Sequence, residues 1–277
     1  MASEKTQVIE FLFNERYDGA SNSVDDPVVT FNDLARAIRE TGAKLSTKNL
    51  ANFWKDIVRA SSRNNTWPAD VFDKGWTGTD AIGQRDSASF AFVEVDQSVK
   101  TPFPEPPEPS QAAIDAATVI ETLSIPLASK QLGRSDETWV SQVAQRLKLI
   151  EQHFAVASPV PAAEIEFLQT SVGLAGGEVD AVYRLIDTSE NYWLIAVEAK
   201  GRKDLLHLLQ LSRSSQLLQE YANNRMEITV SGVIPVGLKV IGVSRLHVVE
   251  FASDGSDEPA VVAESVFLLQ PAVPGID

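Results

Sequence analysis

The chain has 277 residues, 44% of them apolar, which is enough to bury one large core or two modest ones. It contains no cysteine, which excludes disulfide scaffolds, thiolate zinc sites and cysteine nucleophiles, and its three histidines are too scattered to predict a histidine-built metal site. No apolar run approaches the roughly 18 residues of a membrane helix, and no signal-peptide pattern opens the sequence, so we expect a cytoplasmic protein without a membrane partner.

The charge is unevenly distributed along the chain. The 24 Lys and Arg residues against 38 Asp and Glu residues give a net charge of −14, which would repel a polyanion unless bases are gathered locally. Residues 31–63 hold seven bases and three acids, so this stretch is basic within an acidic protein. It predicts either a nucleic-acid contact or a solvated helix face.

The basic stretch has the pattern of two short amphipathic helices. Residues 31–40 and 46–60 carry apolar side chains at helical spacing, with Thr30 and Ser46 as caps and Gly42 as a stop, and a strand follows at 90–95. This order is typical of a helix-turn-helix or winged-helix domain, whose second helix lies in a DNA groove. A small helical domain for protein contact is the alternative. The expected DNA contacts are Lys48, Asn49, Lys55, Arg59 and Arg63.

Residues 61–89 are interpreted as a long polar loop. Such loops are commonly functional or disordered. Its polar side chains are types that read base edges, and its tryptophans could stack on a base or simply pin the loop to the domain. The side chains concerned are Asn64, Asn65, Gln84, Arg85, Trp67 and Trp76.

A proline-rich segment divides the chain. Five of the 14 prolines fall within residues 102–109, which favours extended polyproline geometry and prevents a helix or an interior strand. The segment is interpreted as a linker over residues 101–110, between a DNA-reading domain (1–100) and a second domain (111–277). A rigid surface loop within one domain is the alternative.

The second domain alternates between helical and strand patterns. We expect helices over 111–123, 135–154 (capped by Ser135) and 204–222, and strands over 163–172, 177–187, 191–200, 226–243 and 245–252. These elements predict an α/β domain with a mixed sheet flanked by helices.

The strand at 191–200 ends in charge. Residues 192–197 are entirely apolar, as in a central strand, yet Glu198 and Lys200 follow on one face. If 177–187 and 191–200 form a hairpin, Asp180 faces Glu198 and Glu178 faces Lys200. Two carboxylates that face each other at a buried strand end repel, and a shared proton or a hard cation relieves this repulsion. We expect Mg²⁺ held by Asp180 and Glu198, with Lys200 stabilising charge on a phosphate undergoing hydrolysis.

These residues resemble a known family. Asp180, seventeen intervening residues and Glu198-Ala199-Lys200 are similar to the Asp…Glu-x-Lys signature of the PD-(D/E)xK nuclease superfamily, which includes most type II restriction endonucleases. The resemblance covers about residues 133–250. It implies a restriction-endonuclease-like core, Asp180 and Glu198 as metal ligands, Lys200 as the catalytic lysine, and Glu137 as an additional acid of the metal site on the first helix.

The sequence also departs from that family. Val179, not proline, precedes Asp180, and Gln216 and Tyr221 are five residues apart, whereas the RecB-like branch has glutamine and tyrosine four apart. On the same helix, Gln210 or Arg213 could face the site or lie on the helix surface.

The expected function is therefore Mg²⁺-dependent hydrolysis of double-stranded DNA by a type II restriction endonuclease with sequence recognition. Dependence on DNA methylation and a homodimeric state stay open. The alternatives are a repair or recombination nuclease and a catalytically inactive DNA-binding regulator.

Overall fold

The computed structural model describes residues 3–58, 60, 62–81, 87–95, 100–103, 107–134, 136–175, 177–253 and 259–276, without the side chains of residues 80 and 209. The chain divides into two compact units, Met1–Glu105 and Pro106–Asp277. Within the described ranges, no helix has the length and apolar character needed to cross a bilayer.

The N-terminal unit combines short helices with a small antiparallel sheet of strand order β3-β5-β4 and a two-stranded ribbon, β1-β2. Its elements in chain order are α1 (Glu4–Asn14), β1 (Tyr17–Asp18), β2 (Ser23–Val24), β3 (Val28–Thr30), α2 (Phe31–Thr41), α3 (Ala51–Val58), α4 (Arg63–Thr66), α5 (Ala69–Asp73), β4 (Trp76–Asp80) and β5 (Ala88–Glu94).

Both helices expected in the basic stretch are present, but only the first begins where it was predicted. Helix α2 is confirmed: Thr30 and Asp33 form a capping box, and Gly42 ends the helix in the left-handed conformation with φ 70°. Helix α3 begins at Ala51, later than expected from a cap at Ser46, and buries Phe53, Trp54 and Ile57. Lys48 and Asn49 therefore precede the helix.

The predicted loop over residues 61–89 is wrong over its described part, because α4, α5 and β4 occupy it. Trp67 and Trp76 are only 2% and 7% exposed, and the Trp67 Nε1–H donates to the Trp76 carbonyl at 3.1 Å. They belong to the core and cannot stack on a base, so the simpler interpretation of the two tryptophans is correct. Gln84 and Arg85 lie outside the described residues.

The start of the predicted linker packs into the N-terminal unit. Phe103 is 3% exposed among the aromatic residues of that core, and its N–H donates to Asn64 Oδ1 at 2.8 Å. Ser110, at the other end, caps the first helix of the C-terminal unit. Residues 104–106 of the expected linker lie outside the described residues.

The C-terminal unit is built on a mixed sheet of strand order β6-β12-β11-β10-β9-β8-β7, in which β9–β10 and β6–β12 are parallel pairs. This confirms an α/β domain with a mixed sheet and flanking helices. Its elements are α6 (Gln111–Asp115), β6 (Thr118–Glu121), α7 (Leu127–Leu132), α8 (Glu137–Arg146), α9 (Leu149–Val156), β7 (Ala162–Leu174), β8 (Gly177–Asp187), β9 (Tyr192–Lys200), α10 (Leu208–Arg225), β10 (Gly232–Gly242), β11 (Arg245–Phe251) and β12 (Val261–Gln270).

Helices cover both faces of this sheet. Ile195 and Val197 of β9 belong to the aliphatic core that includes residues of α8 and α9, whereas Leu194 and Ala196 pack with Leu218 and other residues of α10. Because side chains alternate along a strand, Glu198 and Lys200 share the face of Leu194 and Ala196.

Several expected boundaries are corrected. The helix predicted over 111–123 ends at Asp115, and β6 follows because Ile120 is buried in strand pairing with β12. The helix over 135–154 is two helices, since Lys148 adopts a left-handed φ of 54°. Asp136 is the N-cap of α8, while Ser135 lies outside the described residues. Strand β10 starts only at Gly232, and β12 was not predicted.

Candidate active site

The hairpin of β8 and β9 has the predicted register. Its backbone pairs run from Ile186–Tyr192 to Ala181–Val197. Asp187 fixes the connecting loop, because its carboxylate accepts hydrogen bonds from Ser189, Asn191 and Trp193. The bonds from Asn191, with those from Trp193 and Ser189, lower the pKa of Asp187 to about 2.

Asp180 lies just beyond the last paired residues of the hairpin. Its Oδ2 accepts the backbone N–H of Ala199 at 2.8 Å, so a side chain continues the link between the two strands. Burial raises the pKa of Asp180, against the lowering effect of that hydrogen bond and of Lys200. Glu178 is exposed and pairs with Gly173 of β7, and no backbone pair joins it to Lys200.

Glu198 and Lys200 form a buried ion pair. Glu198 is 1% exposed and Lys200 is 2% exposed, and Lys200 Nζ lies 2.5 Å from Glu198 Oε1. Burial raises the pKa of Glu198 to about 7, with Asp180 adding to the rise and Lys200 opposing it. Burial alone would lower the pKa of Lys200, but the carboxylates of Glu198 and Glu137 outweigh it and the net shift is upward.

Two helices contribute further side chains to this pocket. Glu137, in the first turn of α8, accepts a hydrogen bond from Lys200 Nζ at 2.9 Å. Gln210, in the first turns of α10, donates its Nε2–H to Glu198 Oε1. The sequence left the direction of Gln210 open, and the structure places it in the site because α10 packs on the face that carries Glu198.

Asp180 and Glu198 offer carboxylate oxygens of the kind that a hard cation takes, and Glu137 contacts Lys200. Glu198 Oε2 is buried and has no hydrogen-bond partner among the described residues, so one carboxylate oxygen is left for another ligand. Asp180 supplies a second carboxylate, and Mg²⁺ commonly takes only one or two from the protein. Within the described ranges, no group of three or more His, Cys, Asp or Glu side chains is placed so that it could hold a metal ion.

The expected DNA-contacting residues divide into three groups. Lys48, Asn49 and Lys55 are exposed on the N-terminal unit, as a DNA contact requires. Arg63 is 2% exposed, so its side chain is part of the domain interior and is not presented to DNA. Its position in the sequence beside other bases gave no sign of this burial. Arg59 lies outside the described residues.

Comparison of the chain with protein-family profiles, curated proteins and solved structures gives no significant match in any of the three.

Proposed function

We propose that this protein is a Mg²⁺-dependent endonuclease of double-stranded DNA, most similar in kind to a type II restriction endonuclease. One observation carries the proposal: Glu198 and Lys200 form a buried ion pair of 2.5 Å at one strand end, and Asp180 of the neighbouring strand accepts the backbone N–H of Ala199, which lies between them, at 2.8 Å. Folding does not require a carboxylate pair and an ammonium group in an apolar layer, and such clusters are concentrated at functional sites.

The order of elements around the site supports the same function. Helices α8 and α9 precede three antiparallel strands, β7 to β9, and α10 then crosses over to β10, which pairs parallel to β9. This is the helix, three strands, helix and strand order expected for a restriction-endonuclease-like core.

In the proposed reaction Asp180 and Glu198 would hold the ion. Mg²⁺ supplies Lewis-acid charge at the scissile phosphate and favours ionisation of the attacking water. Lys200 contributes a fixed positive charge toward the negative charge that develops on phosphorus oxygens. Glu137 and Gln210 orient Lys200 and Glu198 through the hydrogen bonds they make with them.

The N-terminal unit would read DNA in this proposal. The order α1, β3, α2 and α3, followed by the short helices α4 and α5 and then the β4–β5 hairpin, with sheet order β3-β5-β4, supports a winged-helix-like arrangement. Exposed Lys48, Asn49 and Lys55 lie in or just before α3, the candidate reading helix.

A digest of methylated and unmethylated plasmids tests the proposal. We expect discrete fragments with Mg²⁺ and none with EDTA, and Asp180→Asn protein should bind DNA but leave it uncut. Cleavage that survives Asp180→Asn would refute the site. Binding with no cleavage of any plasmid would support the inactive regulator, and cleavage confined to branched or broken DNA would support the repair nuclease.

A further inference from the structure

A second lysine stands beside Lys200 in the sheet. Lys239 of β10 is the backbone neighbour of Lys200 of β9 and is 6% exposed. Its Nζ donates to the backbone carbonyls of Gly201, Arg202 and Asp204 at 3.2, 3.3 and 2.6 Å. An ammonium group has three protons to donate, and all three are used. Lys239 therefore holds the segment that follows Lys200, and has no donor left for a substrate.

The same segment has a second anchor. Leu206 is fully buried with Leu211, Val249 and Phe251. It fits there because residue 237 is glycine: a Cβ at Gly237 would lie 2.2 Å from Leu206 Cδ2. Gly237 is the backbone neighbour of Glu198, so this anchor stands directly beside the site. Residues 201–206, which we name the clamp loop, are thus fixed at both ends.

Two cations project from the clamp loop. Arg202 and Lys203 are exposed within the segment that Lys239 holds, two and three residues after Lys200, and the exposed Asp204 follows them. Residues 106–277 contain 12 Lys and Arg against 22 Asp and Glu, so this unit repels a polyanion unless cations are concentrated where the polyanion binds. A loop held rigid offers its cations without the entropy cost of ordering a mobile segment.

We propose that the clamp loop binds the phosphates that flank the scissile bond through Arg202 and Lys203, and that Lys239 is the positioning residue that holds it in place. This inference rests on the proposed function for its ligand, the backbone of duplex DNA.

The salt dependence of DNA binding tests whether the clamp loop contacts phosphates. Duplex DNA is titrated in EDTA against wild-type protein, Arg202→Ala/Lys203→Ala, and the control Lys148→Ala/Arg225→Ala. The control removes two exposed bases, Arg225 at the C-terminal end of α10 and Lys148 two residues after α8 ends; the first turns of both helices reach the site. Loss of two phosphate contacts should reduce the slope of log K against log salt by about 1.8 in the loop variant and by much less in the control. Equal slopes in the two variants would overturn the proposal.

The role of Lys239 is tested by measurements that do not depend on nuclease activity. Trypsin cleaves after Arg202 and Lys203, and we expect Lys239→Met to speed cleavage at these bonds by at least about tenfold, the effect of losing one charge-assisted hydrogen bond. Lys239→Met should also flatten the salt slope, and adding it to Arg202→Ala/Lys203→Ala should flatten the slope no further. Unchanged trypsin cleavage, or additive slope changes, would overturn the positioning role.

The two proposals fail in different ways. Wild-type protein that cleaves DNA, with a loop variant whose slope and KM match those of the control, refutes the clamp loop and leaves the nuclease intact. Wild-type protein that binds DNA but never cleaves it refutes the proposed nuclease activity. The salt slopes of the two variants still test whether the clamp loop binds phosphates.

Discussion

The two units bury different kinds of side chains. The N-terminal core is a cluster of aromatic rings, in which Trp54, Trp67 and Phe90 contact one another with centroids 5.1 to 6.3 Å apart. The C-terminal unit is mainly aliphatic, yet it encloses Glu198 and Lys200. Burial of charge opposes folding unless every group is paired. The aromatic core stabilises its unit, whereas a buried ion pair such as Glu198–Lys200 commonly contributes little net stability, and buried charged clusters are common at reactive sites.

The two units should differ most clearly when the cation of the charged pocket is removed. Lys200→Met should lower the cleavage rate at saturating DNA by about 10²–10³-fold or more, because a fixed charge beside the scissile phosphate is lost. DNA affinity should change little. Lys55→Met, in the other unit, is the control and should weaken binding while the maximal rate stays unchanged. A Lys200→Met protein with near wild-type rate would contradict the assignment.

The aromatic core is tested by its stability. Trp67→Ala should lower the free energy of unfolding of the N-terminal unit by about 3–5 kcal/mol, since a large, almost fully buried side chain leaves a cavity. Hydrogen exchange read by mass spectrometry should show faster exchange in α3 and β5 and unchanged exchange in β8 and β9. Equal acceleration in both units would show that the cores are not independent.

The charged pocket should respond to pH. Burial raises the pKa of Glu198 to about 7, so its carboxyl is neutral below that pH and a proton competes with the cation. The apparent Mg²⁺ affinity should therefore fall about tenfold for each pH unit below 7 and level off above it. Mg²⁺ titrations of cleavage at pH 6, 7 and 8 measure this. A response that does not vary with pH would contradict the role of Glu198.

The smallest expected effect concerns the surface of the N-terminal unit. Lys48→Ala and Lys55→Ala should each reduce the salt slope of DNA binding by about 0.9, the contribution of one phosphate contact. Lys5→Ala, which removes a base paired with Asp56 on the same unit, is the control. Slopes that match the control would move DNA recognition away from α3.

The sequence predicted the hairpin of the site well, because the short polar loop at 187–191 leaves one register for the two strands and so places Asp180 near Glu198. It could not orient Gln210, since a leucine-rich helix has several apolar sides and its packing face is set by the sheet. It also misassigned Arg63, because a base in a polar stretch carries no local sign that the side chain is buried.

The short elements in the polar segment 61–89 were not predicted from the sequence. Trp67 and Trp76 stand in a segment too polar to show the periodicity of α4, α5 or β4, and only tertiary packing makes them core residues. Ile120 likewise continued an apparent helical pattern until pairing with β12 drew it into a strand. At these positions tertiary contacts, and not the intrinsic propensity of the residues, determine the secondary structure.

Asp180 and Glu198 are proposed to hold a divalent cation, and Mn²⁺ binding tests this role without requiring cleavage. Electron paramagnetic resonance at pH 8, with duplex DNA present, follows the loss of free Mn²⁺ signal on addition of protein. Wild-type protein should bind Mn²⁺ in stoichiometric amounts, and Asp180→Asn and Glu198→Gln should each weaken this binding by at least about tenfold. Wild-type protein that leaves the Mn²⁺ signal unchanged, or variants that bind Mn²⁺ as tightly as wild type, would contradict the role of these two carboxylates.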